Sequence, residues 1–343
     1  MSVVSEPIHM QTENSSQSLH LLVAMPALNE AATIANVIAS IPADIEGFSK
    51  IDVLVIDDGC TDDTAKIAIA AGAAVVHHPE SRGVGAAFHS ALAYAIETHV
   101  DVLVTIDSDG QFDPNDIPKI TAPIIANEAD FVTASRFKDP ALIPVMPEIK
   151  KWGNHQMSRL ISRLTGQSFH DVSCGMRCYG RRAMANLNPQ GAFTYTQEVF
   201  LNLAFKHMRI AEIPIPVRGV REVGKSRVAS SLWQYGINTL RIIFRVYRDF
   251  RPMQFFGGMA LLLTVPGLLL GGFLAIHYLR TGMFSPYKWT GFTAGTLFAL
   301  SLILLHMGMI GDMLNRHRIY LEELLYFQRN SKSPDRNSTA DDR

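Results

Sequence analysis

Hydrophobic residues in the first part of the chain fall into short apolar runs, and helical patterns separate these runs. Continuous apolar runs are typical of strands that are buried on both faces of a sheet. Strands that alternate with helices favour a parallel sheet with right-handed crossovers. We therefore predict a doubly wound, mostly parallel α/β sheet, with strands at 19–25, 51–56, 73–76, 102–106 and 130–134.

The pattern changes over residues 136–227, where Pro, Gly and basic residues are frequent and strand signals are weak. Apolar periodicity there predicts an amphipathic helix and, further on, short elements that complete the same domain. These predicted elements are helices at 150–164 and 197–207, and strands at 174–179 and 209–215.

Two long apolar runs, at 255–279 and 290–311, contain no Asp, Glu, Lys or Arg. Each is long enough to cross a bilayer, and the short connector predicts a hairpin of two transmembrane helices. The two ends of the hairpin away from the connector are flanked by more basic residues than the connector contains. By the positive-inside rule this places the α/β domain and both termini in the cytoplasm. The outer residues are Arg241, Arg245, Arg248, Arg251, Arg316 and Arg318, against Arg280 and Lys288 in the connector.

These patterns divide the chain into five regions. Residues 1–18 are polar and predict a disordered tail without a secretory signal peptide. The α/β domain covers 19–227, and 228–252 predicts an amphipathic juxtamembrane helix. The hairpin covers 253–312, and 313–343 predicts a cytoplasmic tail.

Composition narrows the class of protein. The net charge of −1 gives no indication of nucleic-acid binding. Hydrophobic residues make up 48% of the 343 residues, and the excess collects in the hairpin. Cys60, Cys174 and Cys178 form no even disulfide framework, which fits a reducing compartment.

Polar clusters follow three of the predicted strands, at residues 29–30, 57–58 and 107–109. The carboxyl ends of parallel strands meet at one edge of a sheet, so these clusters predict a pocket. Asp107 and Asp109 lie on the same side of an extended chain, and the Gln111 amide oxygen is a third oxygen ligand for one cation. The glycine-rich fingerprint of a dinucleotide oxidoreductase is missing after the first strand, which disfavours that class.

The ordered motifs resemble those of the inverting family 2 glycosyltransferases, in the branch that moves a sugar from a nucleotide sugar to a polyprenyl phosphate. The resemblance covers roughly residues 20–230. The matching motifs are Pro26-x-x-Asn29-Glu30, Asp57-Asp58-Gly59, Arg82-Gly83-x-Gly85, Asp107-x-Asp109-Gly-Gln111, Ser135-Arg136-Phe137, Asp171-x-x-x-Gly175-x-Arg177 and Arg221-x-x-Gly224-Lys225-Ser226.

The resemblance implies a GT-A-like fold and a role for each matching residue. Asp107, Asp109 and Gln111 would bind Mg²⁺ or Mn²⁺ on the donor diphosphate, and Arg136 would receive diphosphate or acceptor phosphate charge. Asp58 would accept a hydrogen bond from the base. The implied nucleotide-binding residues are Pro26, Asn29, Glu30, Asp57, Asp58, Arg82, Gly83 and Ser108, and the implied residues for the lipid phosphate are Arg177, Arg221, Lys225 and Ser226.

Two features qualify the resemblance. Cys60 stands where the family usually has Ser, and a thiol is a weaker hydrogen-bond donor. The Gln-x-x-Arg-Trp motif of processive synthases is absent from the sequence, so we expect a single transfer. A phosphate acceptor is already anionic near neutral pH and needs no dedicated base. His77, His78 and His170 are accordingly expected to be structural or solvated.

Two alternatives remain at this stage. A family 2 enzyme with another acceptor, a diacylglycerol or a protein, would use the hairpin only as an anchor. A catalytically silent membrane scaffold would keep the fold without the reaction. The sequence also leaves a homo-oligomer open.

Overall fold

The computed structural model describes residues 19–187, 195–218 and 232–331. Its centre is a seven-stranded sheet with the strand order β3-β2-β1-β4-β6-β5-β7. The strands are β1 (Leu19–Ala27), β2 (Phe48–Asp57), β3 (Ala74–His77), β4 (Val102–Thr105), β5 (Phe131–Ser135), β6 (Arg177–Gly180) and β7 (Ile210–Pro214). The helices are α1 (Ile34–Ala39), α2 (Thr64–Ala70), α3 (Val84–Glu97), α4 (Ile117–Ile125), α5 (Glu148–Thr165), α6 (Arg181–Asn186), α7 (Thr196–Phe205), α8 (Leu232–Phe250), α9 (Pro252–Thr281) and α10 (Lys288–Ser331).

The prediction of a mostly parallel, doubly wound sheet is confirmed, with one reversed strand. β6 lies between β4 and β5 and runs antiparallel to both, while the other strand pairs are parallel. Arg177, the first residue of β6, pairs with Thr105 at the end of β4. Because β6 is reversed, the loop before it lies at the carboxyl edge of the parallel strands. The reversed strand therefore brings residues 171–176 to the predicted pocket.

Alternation along the strands divides the core into two layers. Leu22 and Ala24 of β1 pack on one face with Phe88 of α3 and Phe200 of α7. The intervening residues of β1 pack on the other face with helices α1 and α4. Successive side chains of a strand point to opposite faces, and both faces here are covered by helices. This explains why the sequence shows apolar runs and no alternating pattern.

Helices α9 and α10 form an antiparallel hairpin, as predicted. The hydroxyl oxygens of Thr264 and Ser301 lie 2.6 Å apart, and Ser301 also donates to the Ala260 carbonyl at 3.0 Å. Both helices are long and apolar enough to cross a membrane. In each helix, only 11% of the apolar 18-residue stretch is buried against the rest of the protein. A core helix of a soluble protein is mostly buried, so these helices suggest membrane association.

Helix α10 does not end near residue 311, where the predicted span ends. It continues to Ser331, so the first part of the predicted tail is helical. The extension rests on the α/β domain: Lys206 Nζ lies 3.0 Å from Glu322 Oε2. The Arg318 guanidinium lies 3.7 Å from the centre of the Phe250 ring. These contacts, which local periodicity does not indicate, hold the extension against Lys206 and helix α8.

Candidate active site

The loop that follows β4 is held firmly to the end of β1. Ser108 and Asp109 are almost completely buried. The Ser108 hydroxyl donates to the Pro26 carbonyl at 2.8 Å, and the Ser108 carbonyl accepts from the Thr33 hydroxyl at 2.8 Å. Asp109 Oδ1 accepts from the Gln111 backbone N–H at 3.0 Å. The loop therefore presents its carboxylates from a rigid frame.

Gly175, in the loop before β6, leaves the space that the Asp107 carboxylate occupies. A Cβ atom built on Gly175 would lie 2.6 Å from Asp107 Oδ2 and 3.0 Å from its Cγ. The Gly175 carbonyl accepts from the Thr105 hydroxyl at 3.1 Å, which fixes the loop against β4. Glycine is needed at this position because any side chain would displace the carboxylate.

Gln111 connects the β4 loop to the start of the basic segment. Its side-chain amide nitrogen donates to the Arg218 carbonyl at 3.0 Å. In the opposite direction, the Arg218 backbone N–H donates to the Gln111 carbonyl at 3.0 Å. This pairing orients the amide so that Oε1 remains an acceptor. The rest of the predicted phosphate-binding segment, with Arg221, Lys225 and Ser226, lies outside the described residues.

The structure gives Asp58 a different task from the predicted contact with a base. Its carboxylate accepts from the Ser81 hydroxyl and from the backbone N–H groups of Arg82 and Gly83, each at 2.9 Å. Its Oδ1 also lies 2.8 Å from Nδ1 of the buried His78. Asp58 therefore organises the loop that opens helix α3.

These hydrogen bonds set the charge of Asp58. Burial alone raises the pKa of its carboxyl, but the hydrogen bonds from His78, Arg82, Gly83 and Ser81 lower the net pKa below the ordinary value. The other ring nitrogen of His78 lies 2.8 Å from the Ser90 hydroxyl. His78 is thus structural, as expected, and links Asp58 to helix α3.

Hydrogen bonds also join the ends of β1 and β2. Asn29 Oδ1 accepts from the Thr61 N–H at 2.7 Å, and its φ of 54° is one that Asn tolerates. The Glu30 N–H donates to the Thr64 hydroxyl at 2.9 Å. Asp57 Oδ1 accepts from the Cys60 N–H at 2.7 Å. The predicted nucleotide-binding residues of these two strand ends are thus joined by hydrogen bonds, and Asp57 itself is buried.

Cys60 makes side-chain contacts despite replacing the usual Ser. Its sulfur accepts from the Asn29 N–H at 3.1 Å and lies 3.5 Å from the Ala27 carbonyl oxygen. Burial and the interaction with Asp57 raise the pKa of the Cys60 thiol to about 11. The thiol is therefore neutral and structural, because reactive cysteines need a lowered pKa.

Arg136 and Asp171 form a charged pair at the base of the site. Arg136 Nε and Nη2 donate to the two oxygens of Asp171 at 2.7 and 2.9 Å. Asp171 is fully buried, and 19% of the Arg136 side chain is exposed. Burial alone raises the pKa of Asp171, but the charge and hydrogen bonds of Arg136 lower it below the ordinary value. The geometry is the bidentate one that fixes a guanidinium in place.

Three further residues support this pair, and the motif comparison missed their roles. Ser173 accepts from Arg136 Nη2 at 2.9 Å and donates to Asn154 of α5. Glu212 of β7 accepts from the backbone N–H groups of His170 and Asp171 at 2.9 to 3.0 Å. A charged residue inside the apolar pattern of a strand was the sequence signal for Glu212. Nothing in the sequence alone indicates Asn154.

Arg177 does not face the site, although the resemblance implied a contact with the lipid phosphate. Its side chain is completely buried. Its guanidinium donates to the carbonyl oxygens of Cys174, Thr196 and Val172 at 2.8 to 3.1 Å. It also lies against aromatic rings of the core. We therefore correct this assignment: Arg177 holds the loop before β6 in place from below.

The donor set at the β4 loop suits a hard divalent cation. Asp107, Asp109 and Gln111 offer two carboxylates and an amide oxygen, the ligand types that Mg²⁺ and Mn²⁺ prefer. Across the described part of the chain, no group of three or more His, Cys, Asp or Glu side chains is arranged to hold a metal ion. The β4 loop therefore offers ligand types that suit such a cation, but the described residues alone form no complete metal site.

Comparison with known proteins supports this fold. The model of the family described as Glycosyl transferase family 2 matches residues 22–187. The dolichyl-phosphate hexose transferase of Haloferax volcanii is 31% identical over 198 residues, which cover 58% of this chain and 82% of that protein. Glycosyltransferase AglJ of the same organism is 28% identical over 307 residues, which cover 88% of this chain and 96% of that protein.

A solved structure shows the same fold. Glucosyl-3-phosphoglycerate synthase from Mycobacterium tuberculosis, in complex with Mn²⁺, UDP and phosphoglyceric acid, superposes with a TM-score of 0.53 at 24% identity. The match covers 67% of this chain and 78% of that one. The matching family model and the relative from Haloferax volcanii show that the chain is a glycosyltransferase. More particularly, the chain belongs to glycosyltransferase family 2.

Proposed function

We propose that this protein transfers one sugar from a nucleotide sugar to a polyprenyl phosphate at the cytoplasmic face of a membrane. The observation that carries the proposal is the double hydrogen bond between Gln111 and Arg218. It joins the predicted diphosphate site to the first residue of the basic segment, and that segment leads into α8 and the hairpin. A donor diphosphate and a lipid phosphate would therefore meet at one place. Two relatives named for dolichyl phosphate support this acceptor class.

The donor half of the proposal uses the edge formed by β1, β2 and β4. Asn29, Glu30 and the loop at 81–83 would hold the nucleoside, and the buried Asp57 would support them through its hydrogen bond with Cys60. Asp58 acts by positioning that loop. Asp107, Asp109 and Gln111 would hold Mg²⁺ or Mn²⁺, which when bound neutralises the charge that grows on the departing diphosphate. A synthase of the same fold was solved with Mn²⁺ and UDP, which supports the assignment.

The acceptor phosphate serves as its own nucleophile. Its second pKa is about 6, so near neutral pH an anionic oxygen is available without a general base. That oxygen forms a bond to the anomeric carbon while the bond to the nucleoside diphosphate breaks, and no proton has to move. Attack opposite the leaving group inverts the anomeric configuration.

Arg136 supplies fixed positive charge to this step. Asp171 and Ser173 occupy the Nε and Nη2 side of the guanidinium. The Nη1 group, at the opposite edge of the planar guanidinium, would donate to phosphate oxygens. A guanidinium already locked in place costs no reorganisation when charge develops. This role needs the buried Asp171 as a positioning residue.

The membrane orientation follows from the distribution of basic residues. The outer ends of the hairpin carry more Arg and Lys than the connector, which favours a cytoplasmic catalytic domain. A membrane-impermeant thiol reagent should label Phe284→Cys, in the connector, from outside intact cells. Asp63→Cys, on the exposed surface of the α/β domain, should be labelled only after the cells are opened. The reverse result would contradict the orientation.

The acceptor is tested with purified full-length protein, a panel of UDP- and GDP-sugars, polyprenyl phosphate and Mg²⁺ or Mn²⁺. We expect sugar on the lipid phosphate, and competition by a short-chain prenyl phosphate but not by the matching prenyl alcohol. Transfer to a diacylglycerol or a protein, unaffected by prenyl phosphate, would contradict the proposal. A silent scaffold would show no metal-dependent thermal shift with UDP or GDP.

A further inference from the structure

The chain passes from the α/β domain to the first membrane helix through a single non-helical residue, Arg251. Helix α8 ends at Phe250 and helix α9 begins at Pro252. Arg251 has a φ of −131° and a ψ of 53°, which are not helical values. Pro252 has no N–H group to donate to the Arg248 carbonyl, so the helical hydrogen-bond ladder is interrupted. At such a joint the domain could rotate relative to the hairpin.

Helix α10 contacts the residues on both sides of this joint. A Cβ built on Gly311 would lie 2.7 Å from the Pro252 Cβ, so the glycine permits a close approach. One turn further along α10, the Asn315 side-chain amide donates to the Phe250 carbonyl at 3.4 Å. The Arg318 guanidinium lies 3.7 Å from the centre of the Phe250 ring. Residues at this spacing share one helix face, so a single face of α10 holds both flanks of the joint.

The same face of α10 is fixed to the α/β domain by an ion pair. Glu322 Oε2 lies 3.0 Å from Lys206 Nζ, and the two side chains are only 18 and 12% exposed. Arg318 Nε lies 3.6 Å from Glu322 Oε1. The ring of Phe205, at the end of α7, packs 5.1 Å from the Phe250 ring. Breaking a buried ion pair costs more than breaking an exposed one. The domain, the joint and α10 therefore form one packed unit.

We propose that residues 311–322 of α10 form a brace that fixes the α/β domain to the hairpin, with Arg318 and Glu322 as positioning residues for sugar transfer. The hydrocarbon chain of a polyprenyl phosphate keeps its phosphate at the membrane surface, whereas the domain carries the site. A rotation of about 20° at the joint would move a point about 30 Å away by about 10 Å. The brace would prevent that movement and keep the site at one height over the bilayer.

The positioning role rests on the proposed function, whereas the brace itself rests only on the contacts of α10. The two parts therefore need separate measurements. Pulsed electron paramagnetic resonance on full-length protein in lipid vesicles measures the brace without the reaction. Spin labels are attached to Asp63→Cys on the α/β domain and Leu262→Cys on α9, which are 67 and 75% exposed positions. The labelled wild-type chain, with Cys60, Cys174 and Cys178, sets the background.

We expect a narrow distance distribution between the two labels, and a broad one in the double variant Arg318→Ala/Glu322→Ala. The double variant Arg316→Ala/Glu323→Ala is the matched control, because it removes the same residue types from exposed positions of the same helix. It should keep the narrow distribution. Equal distributions in the two double variants would overturn the brace.

A second variant acts on the joint without removing any of the charged contacts. Gly311→Leu should push Pro252 away from α10 and broaden the distribution. Gly295→Leu is its control, because a Cβ on Gly295 would meet nothing within 4 Å. Thermal unfolding of each variant checks that the α/β domain is folded. A folded Gly311→Leu variant with the narrow distribution of Gly295→Leu would contradict the brace.

Sugar transfer to two acceptors tests the positioning role. With a long-chain polyprenyl phosphate embedded in vesicles, Arg318→Ala/Glu322→Ala should lower kcat/KM by about 10-fold, the factor that corresponds to one partly buried cation–π contact. With a short, water-soluble prenyl phosphate, kcat/KM should stay unchanged, because a free acceptor reaches the site at any height. An equal loss with both acceptors, which a merely structural role predicts, or no loss with either, would overturn the positioning role. If the wild type transfers sugar to neither acceptor, the proposed function is wrong, and the distance distributions decide the brace by themselves.

Discussion

Replacing Gly175 by Ala tests whether the position of the Asp107 carboxylate controls transfer. The added Cβ would lie 2.6 Å from Oδ2, and ordinary contacts begin at 3.4 Å. The carboxylate therefore has to retreat by about 0.8 Å to restore van der Waals contact. A displacement of about 1 Å in a reacting constellation costs about 10²-fold in rate. We expect Gly175→Ala to lower kcat/KM for sugar transfer by about that factor.

The assay measures radiolabelled sugar on the lipid phosphate at several metal concentrations. Gly153→Ala is the control, since a Cβ on Gly153 would meet nothing within 4 Å. Thermal unfolding of both variants checks that the domain is folded. A folded Gly175→Ala variant that transfers sugar at the rate of Gly153→Ala would refute the role given to Asp107.

Three further predictions concern the residues around the site. Asp171→Asn should lower the free energy of unfolding by about 3 to 5 kcal/mol, because it leaves Arg136 buried without its counter-charge. Asp63→Asn, in an exposed pair with Lys66, should leave the free energy of unfolding nearly unchanged. Folding lowers the pKa of the Asp171 carboxyl. The stability that ionised Asp171 contributes is therefore present above the unfolded pKa of about 3.9 and is lost as the pH falls below it. The difference in denaturant midpoint between the wild type and Asp171→Asn should vanish in acid. Cys60 has a thiol pKa of about 11, so little of it is thiolate at pH 8, and alkylation should be roughly 100-fold slower than for an ordinary thiol. Labelling of Cys60 at the ordinary rate, measured by mass spectrometry, would contradict the raised pKa. His78→Ala should raise the KM for the nucleotide sugar more than it lowers kcat, because it loosens the 81–83 loop through Asp58; an unchanged KM would rule out the positioning role.

Local patterns were sufficient for the parallel part of the fold. Strands buried on both faces have continuous apolar runs, and polar residues follow them where the chain leaves the sheet. The edge with Asn29, Asp57 and Asp107 could therefore be predicted. The reversal of β6 could not, because a four-residue strand has the same composition in either direction, and only its neighbours decide its orientation.

Other differences arose where tertiary contacts decide the role of a charged residue. A motif gives Arg177 as a basic residue near the site, but its depth depends on three carbonyl oxygens that only the folded chain brings together. Asp58 likewise has its donors twenty or more residues away along the chain. The extension of α10 depends on Lys206, directly after α7, and on Phe250, at the end of α8. None of these contacts is encoded in local periodicity.

The central claim is that the acceptor is a lipid phosphate, and mass spectrometry of the reaction products tests it most directly. Purified protein is incubated with a nucleotide sugar, polyprenyl phosphate and Mg²⁺ or Mn²⁺, in parallel with Asp109→Asn. The account predicts a polyprenyl-phosphate sugar and an equal amount of nucleoside diphosphate from the wild type, and neither from the variant. Sugar found on a neutral lipid or on protein, or nucleotide released without any glycosylated lipid phosphate, would contradict it.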